Sequence, residues 1–534
     1  MTLSPLRTRN RLVLVLAALT IVTLSSIRPA HAAYAQIEGS GSTWSEVIVQ
    51  QWIADVNANG MKVTYNGGGS SQGRKAFAQH VTDFGITEIP YQGKDESGNA
   101  DTAGSREFAY MPIIAGGTAF SYQIRVGGKL VKNLRLSGDT LAKIFTNQIT
   151  NWNDPAIAKD NNGRKLPSLK IIPVVRSDGS GTTAQFTRWM DAQHPKVWRG
   201  FFGTSGLTSY YPRRGDTIAA AGSDQVMNTI AGAAGNGTIG YVEYSYPVNK
   251  KFPVVKVLNE AGFFVEPTQY NVAVALTKAR INTDKGSQDY LTQILDGVYN
   301  AKDPRAYPLS SYSYMLLPTG ASDRRMSTTK RQTLADFMYY SLCEGQSKAG
   351  AYGYSPLPLN LVKAGFDQLK RLKTADPRVE IAGRDVKSCN NPTFVAGDLS
   401  KNKLAEIAPK PAACDKVGAG PCDGGTGSAP TTLEEAQKSS TDKAASDTPA
   451  GAGTDPSGAV DTAPEGGAVD PVTGDAVQAS GQVGGSAQAV PVELTSSRPG
   501  DSRVFGTVAV LELLAIVLIP GIVAALLRRR GDLR

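Results

Sequence analysis

The run Val174-Val175-Arg176-Ser177-Asp178-Gly179-Ser180-Gly181-Thr182-Thr183 passes from an apolar extended segment, through two glycines, into a helical stretch marked by Phe186, Trp189 and Met190. A strand that turns through a Gly/Ser loop into a helix is a unit of an α/β layer structure. It is also a place where chemistry collects. The first turn of a helix leaves backbone N–H groups unpaired and carries partial positive charge. Glycines let the backbone approach a ligand closely, and Ser and Thr hydroxyls add donors without adding charge.

Two further stretches repeat the pattern. Gly39-Ser40-Gly41-Ser42-Thr43-Trp44 precedes a helix that begins near Ser45, and Gly67-Gly68-Gly69-Ser70-Ser71 precedes one containing Lys75, Phe77 and Ala78. One such loop is explained by an ordinary Ser/Thr cap with turn glycines. Three in one domain point to helix N-termini that converge on a small oxyanion. None has the G-x-x-x-x-G-K-[ST] spacing of a nucleotide loop, nor G-x-G-x-x-G with its downstream acid, so a nucleoside triphosphate is not favoured.

Two charged groups complement the loops. Arg176 offers a forked guanidinium to an oxyanion, and Asp178 is placed to hold it. The other is Glu88, at the end of Thr82-Asp83-Phe84-Gly85-Ile86-Thr87-Glu88. A carboxylate beside an anion is favourable only when the anion carries a proton to donate. Monohydrogen phosphate does, and sulfate at neutral pH does not, so a buried acceptor here selects the former.

Catalysis is poorly supported. Past the N-terminal segment only His80 and His194 could serve as a histidine base, G-x-S-x-G is incomplete around Ser180, and no His/Asp cluster suggests a metal. The chain is therefore expected to be no enzyme, with no cofactor and no metal.

Between about Gln36 and Asn402 the pattern is compact α/β. Strand-like runs include 62–65, 171–175, 239–242 and 270–276; Trp44, Val47, Ile48, Trp52, Ile53 and Val56 mark a helix face. The alternation predicts a largely parallel sheet covered by helices. The size favours two lobes with a cleft over one core.

The ends differ in kind. Residues 1–32 carry Arg7, Arg9 and Arg11, an apolar run and a small-x-small site at Pro29-Ala30-His31-Ala32, the order of a secretory signal. Residues 504–527 are apolar and long enough to span a bilayer, with Arg528, Arg529 and Arg530 directly after. The arginines predict a cytoplasmic C-terminus at 528–534. Glu512 falls near the outer boundary of that span. Residues 423–503 are rich in Gly, Ala, Ser, Thr, Pro and Asp and read as a disordered linker. The formal charge of +9 is uneven: residues 423–500 carry −8, and residues 33–422 carry +11. A basic exported domain attracts anions. It lacks the basic runs with interleaved aromatics that would suggest nucleic acid. Cys343, Cys389, Cys414 and Cys422 all lie in the exported part, where disulfides form. Chain order suggests Cys343–Cys389 and Cys414–Cys422, out of three possible pairings.

Five motifs, in this order and spacing, carry a family resemblance: G-S-G-S-T-W at 39–44, Y-N-G-G-G-S-S-Q-G at 65–73, T-D-F-G-I-T-E at 82–88, V-V-R-S-D-G-S-G-T at 174–182 and G-T-I-G-Y-V-E-Y at 237–244. Over most of residues 36–395 the chain resembles PstS, the phosphate-binding protein of bacterial phosphate ABC importers. The resemblance implies a two-lobed periplasmic-binding-protein (type II) fold that closes on its ligand. Lobe I would comprise 36–115 and 310–402, lobe II 116–309, followed by a Cys-containing tail at 403–422. It implies crossings between lobes near 113–117 and 307–314. It implies ligand contacts at Thr43, Trp44, Ser70, Arg176, Ser180, Gly181 and Thr182, with Asp178 orienting Arg176. The family's proton-accepting Asp aligns with Glu88, and its usual Phe in the first loop aligns with Trp44. Implied partners are inorganic phosphate, an ABC permease with its ATPase, and the membrane through the C-terminal helix. The alternatives are a surface phosphate sensor, an adhesin, or a binder of molybdate, sulfate or arsenate on the same fold. Tyr352 and Tyr354 are expected to pack the last helices.

Overall fold

A computed structural model describes residues 34–440 except 96–97, 285, 288, 396–397 and 431. The expected signal segment, the linker beyond 440, the span at 504–527 and the basic tail lie outside the described residues. Among the described residues no helix is long and apolar enough to cross a membrane.

One mixed sheet organises the domain. Its eight strands, numbered along the chain, are β1 (Ile37–Gly41), β2 (Val63–Gly67), β3 (Phe84–Thr87), β4 (Phe108–Tyr122), β5 (Ile172–Arg176), β6 (Ile218–Ala220), β7 (Thr238–Glu243) and β8 (Ser310–Pro318). Their spatial order is β6-β5-β7-β4-β8-β3-β1-β2. The outer strands are parallel to their neighbours, as expected for strand–helix alternation: β1 with β2 and β3, and β5 with β6 and β7. The two middle strands are antiparallel to theirs.

The middle pair is where the chain changes lobes. β4 pairs with β8 from Phe108 to Gly117, then with β7 from Thr118 to Tyr122. The return crossing falls at Leu309/Ser310. The first crossing falls at Gly117/Thr118, and one continuous sheet runs through both. One apolar cluster accordingly runs from Ile48 and Trp52 in lobe I to Phe145 and Phe186 in lobe II. A smaller cluster around Val174, Val226 and Ile230 lies in lobe II, with Val47 of the first glycine-loop helix packed against it.

Helices follow the glycine loops as expected: α1 (Glu46–Asn57), α2 (Ser70–Ala78) and α3 (Gly181–Gln193). A fourth, α4 (Gly222–Ala231), follows β6. The run at 270–276, expected as a strand, is instead a helix, α5 (Gln269–Leu276). Its residues from Tyr270 onward are apolar except Asn271, and all but Asn271 are buried. A helix hydrophobic all round has no periodicity to betray it. The available signal was Thr268, whose side chain accepts a hydrogen bond from the Asn271 amide as an N-cap, a device that stabilises a helix by about 1 kcal/mol.

The tail corrects a second expectation. Helices α6 (Thr328–Leu342) and α7 (Leu359–Ala375) pack on lobe I. The chain then returns to the lobe II side: α8 (Lys403–Ile407) packs on α5, and Arg305 donates to the Ala405 and Ala408 carbonyls. The expected linker was to start at Asp423, but residues 426–430 are seated. The Thr426 amide donates to the Lys132 carbonyl at 2.9 Å, the Gly427 amide to Glu266 Oε1 at 2.7 Å, and Gln269 Nε2 to the Pro430 carbonyl at 2.9 Å. A last helix, α9 (Leu433–Ser440), buries Ala436. Composition hid this because the segment is held by backbone hydrogen bonds, which need no apolar side chains. Both disulfides follow chain order, Cys343–Cys389 and Cys414–Cys422.

Candidate functional site

The three glycine loops meet at the cleft, contributed from both lobes. α2 and α3 start face to face. The Ser71 amide of lobe I donates to the Gly179 carbonyl of lobe II at 3.1 Å. Two glycines make that approach possible. Gly69 has a φ of +93°, and a Cβ there would stand 2.6 Å from Asp178 Oδ2. A Cβ on Gly181 would stand 1.9 Å from Glu88 Oε2 and 2.5 Å from Ser70 Oγ. Ser70, Glu88 and the first residue of α3 therefore converge.

On the lobe I side Glu88 is fully buried just past β3. Ser70 Oγ donates to its Oε2 at 2.6 Å and Ser313 Oγ to its Oε1 at 2.7 Å. Its backbone carbonyl accepts from Gln185 Nε2 at 2.6 Å and Gln293 Nε2 at 2.9 Å. No Lys or Arg pairs with it among the described residues; every partner is neutral.

On the lobe II side Arg176 is 2% exposed at the end of β5. Its Nε donates to Asp178 Oδ1 at 2.7 Å, its Nη2 to Asp178 Oδ2, and its Nη1 to Ser223 Oγ at 3.3 Å. That leaves two of the five guanidinium N–H groups for another acceptor. Asp178 also accepts from the Gly222 amide at 3.0 Å. Burial pushes the Asp178 carboxyl up, but the Arg176 hydrogen bonds and charge outweigh it and hold the carboxyl below its usual range. Asp178 and Arg176 are thus joined through both carboxylate oxygens. Ser180 caps α3, accepting from the Thr183 amide at 3.2 Å. Thr182 Oγ1 is buried without a hydrogen-bond partner among the described residues.

The first loop closes the site from lobe I. Thr43 Oγ1 lies 3.1 Å from Ser223 Oγ and accepts from the Ser223 amide at 3.3 Å. Trp44 is buried; its amide donates to Ser42 Oγ at 3.0 Å, and its ring meets Tyr354 edge-on. Tyr354 Oη donates to the Trp44 carbonyl at 2.7 Å, so this tyrosine packs the loop as well as the last helices.

Four residues at the site went unread in the sequence. Ser223 bridges Thr43 and Arg176; it opens α4 in Ala221-Gly222-Ser223-Asp224, a fourth glycine–serine entry to a helix that the same loop rule would have found. Ser313 sits in a strand with no motif. Glu46, in the first turn of α1, accepts from the Gly67 amide at 3.2 Å, and burial above all raises its carboxyl above the ordinary value. Glu243, at the end of β7, accepts from the Ser245 amide through Oε2, and its Oε1 has no hydrogen-bond partner among the described residues. Burial raises its carboxyl well above 4.5, against the lowering by Ser245.

Comparison with known proteins decides the family. The model of the PBP superfamily domain matches residues 27–344. The phosphate-binding protein PstS of Methanocaldococcus jannaschii is 34% identical over 63% of this chain and 86% of its own length. The chain belongs to the PstS family. PstS of Xylella fastidiosa is 31% identical over 61% of this chain and 83% of its own. Among solved structures, the phosphate-binding protein from Stenotrophomonas maltophilia is 17% identical over 62% of this chain and 92% of its own, with a TM-score of 0.45. PstS proteins bind a solute without transforming it, and this chain, as a member, is a solute-binding protein and no enzyme. Among the described residues no group of three or more His, Cys, Asp or Glu could hold a metal.

Proposed function

We propose that this chain captures inorganic phosphate outside the cell and passes it to an ABC importer formed by permease and ATPase subunits. Capture is stoichiometric and without chemistry. The hydroxyl and amide donors of Thr43, Trp44, Ser70, Ser180, Gly181 and Thr182 surround the anion. The free N–H groups of Arg176 neutralise it, and Glu88 accepts the hydrogen bond of its remaining proton. In this reading residues 1–32 direct export, residues 504–527 anchor the chain, and the domain works on the outer face of the membrane. The apolar lengths and the flanking arginines support that placement.

One observation carries the ligand assignment: a buried carboxylate with only neutral partners stands against the N-terminus of α3, where Arg176 and an unpartnered Thr182 hydroxyl also lie. A fully deprotonated oxyanion would face Glu88 with no hydrogen to offer. Monohydrogen phosphate meets it with a charge-assisted hydrogen bond, about twice as strong as a neutral one.

The test is calorimetric titration of the full-length protein, stripped of endogenous phosphate, with phosphate and with sulfate. The wild type binds phosphate and gives no heat with sulfate. Glu88→Gln weakens phosphate binding roughly ten- to a hundredfold, the range of a hydrogen bond to a charged group, and admits sulfate. Equal affinities for the two anions in the wild type would contradict the reading.

A further inference from the structure

Glu88 is held from behind as well as from the ligand side, and the residue behind it has no place in the ligand set. Ser313 lies in β8, three residues past the return crossing. β4 and β8 change register between Ser313 and Tyr314: Ser313 pairs with Ile114 and Tyr314 with Pro112, so Ile113 is the extra residue of a bulge. A bulge re-aims side chains, and bulges concentrate beside functional sites. Ser313 is fully buried, and its hydroxyl donates to Glu88 Oε1 at 2.7 Å. β8 also pairs with β3, Tyr314 opposite Thr87, so Glu88 and Ser313 sit on adjacent strands of one lobe. Their contact does not depend on lobe closure.

The two hydroxyls hold different oxygens of Glu88. Ser70 Oγ faces Gly181 across the cleft, 2.5 Å from a Cβ built there, and holds Oε2, whereas Ser313 holds Oε1. A hydroxyl has one hydrogen. While Ser70 gives its hydrogen to Glu88 it has none for an anion, and a buried carboxylate that lost its only donor would be strongly penalised. Ser313 removes that conflict: it keeps Glu88 solvated and aimed, so the Ser70 hydrogen can turn to the ligand.

We propose that Ser313 is a positioning residue for anion selection, acting through Glu88. It presets the carboxylate as the acceptor that distinguishes protonated from unprotonated tetrahedral anions and frees Ser70 to donate. The proposal rests on the phosphate reading above. It also gives a reason for a Glu at position 88: the longer side chain is fixed at both oxygens, one from β8 and one from α2.

The experiment compares full-length wild type, Ser313→Ala and Ser313→Thr by calorimetric titration with phosphate, arsenate and sulfate, with thermal unfolding of each. Arsenate carries its proton as phosphate does. Ser313→Ala is expected to weaken phosphate and arsenate together, roughly tenfold or more, while sulfate binding stays the same or rises. Ser313→Thr, which keeps the hydroxyl, is expected to restore the preference. A merely structural role would weaken phosphate and arsenate in proportion to lost thermal stability in Ser313→Ala and Ser313→Thr alike, and that result overturns the proposal, as does a phosphate affinity in Ser313→Ala equal to that of the wild type. A wild type that binds sulfate as well as phosphate, or binds neither, overturns the phosphate reading and this proposal with it; in a selective wild type, a Ser313→Ala variant that keeps full phosphate affinity overturns the proposal alone.

Discussion

The two sides of the cleft solve opposite problems. Lobe II presents a cation whose counter-charge is built in: Arg176 is clamped by Asp178, and Asp178 is steadied by the Gly222 amide. Lobe I presents an anion with no counter-charge: Glu88 is held by the Ser70 and Ser313 hydroxyls. A site built only like lobe II would attract any oxyanion. A site built only like lobe I would repel most of them. The difference teaches that attraction and discrimination are assigned to different lobes, and they act together only where Gly181 lets the lobes meet.

The largest effect is therefore expected where the two sides touch. Gly181→Ala puts a methyl group 1.9 Å from Glu88 Oε2, so either the carboxylate or the start of α3 must move. Overpacking of this kind costs about 1–3 kcal/mol, and phosphate affinity should fall ten- to a hundredfold in titration. Adding Glu88→Asp withdraws the carboxylate by a methylene and should recover part of the loss. No recovery in the double variant would break the claim that these two groups collide.

A smaller effect sharpens the contrast between paired and unpaired carboxyls. Asp178 has its cation; Glu243, whose Oε1 lies 2.9 Å from where a Cβ on Gly116 would stand, has none among the described residues. Burial raises the folded-state value of Glu243 well above 4.5 and so favours its neutral acid. Its stabilising contribution is complete below pH 4.5 and is lost as pH rises toward the folded-state value. For one group the slope reaches about 1.4 kcal/mol per pH unit. Urea unfolding followed from pH 4.5 upward should show this decline in the wild type and a flatter profile in Glu243→Gln. Asp178 contributes with the opposite sign: its stabilisation is present above 3.8 and is lost as pH falls through its lowered value.

The three glycine loops were legible because the physics that makes them useful is local: a glycine, a hydroxyl and a helix start are adjacent in the chain. The same locality made Arg176 and Asp178 readable as a pair. What escaped was non-local. Ser313 reaches Glu88 through strand pairing across 225 positions and a bulge that no composition reveals. The run at 270–276 lacked periodicity because it is buried on every side. The segment at 423–440 read as linker because its polar, glycine-rich chain is held mainly by backbone hydrogen bonds, with only the small apolar side chains of Ala429 and Ala436 packed in.

The most direct measurement of the central claim is a crystal structure of the full-length protein loaded with phosphate. The account predicts one tetrahedral anion between the N-termini of α2 and α3, within hydrogen-bond distance of Thr182 Oγ1 and Arg176, with one of its oxygens at about 2.5–2.7 Å from a Glu88 oxygen. An anion bound with Glu88 turned away, or bound elsewhere in the cleft, would contradict it.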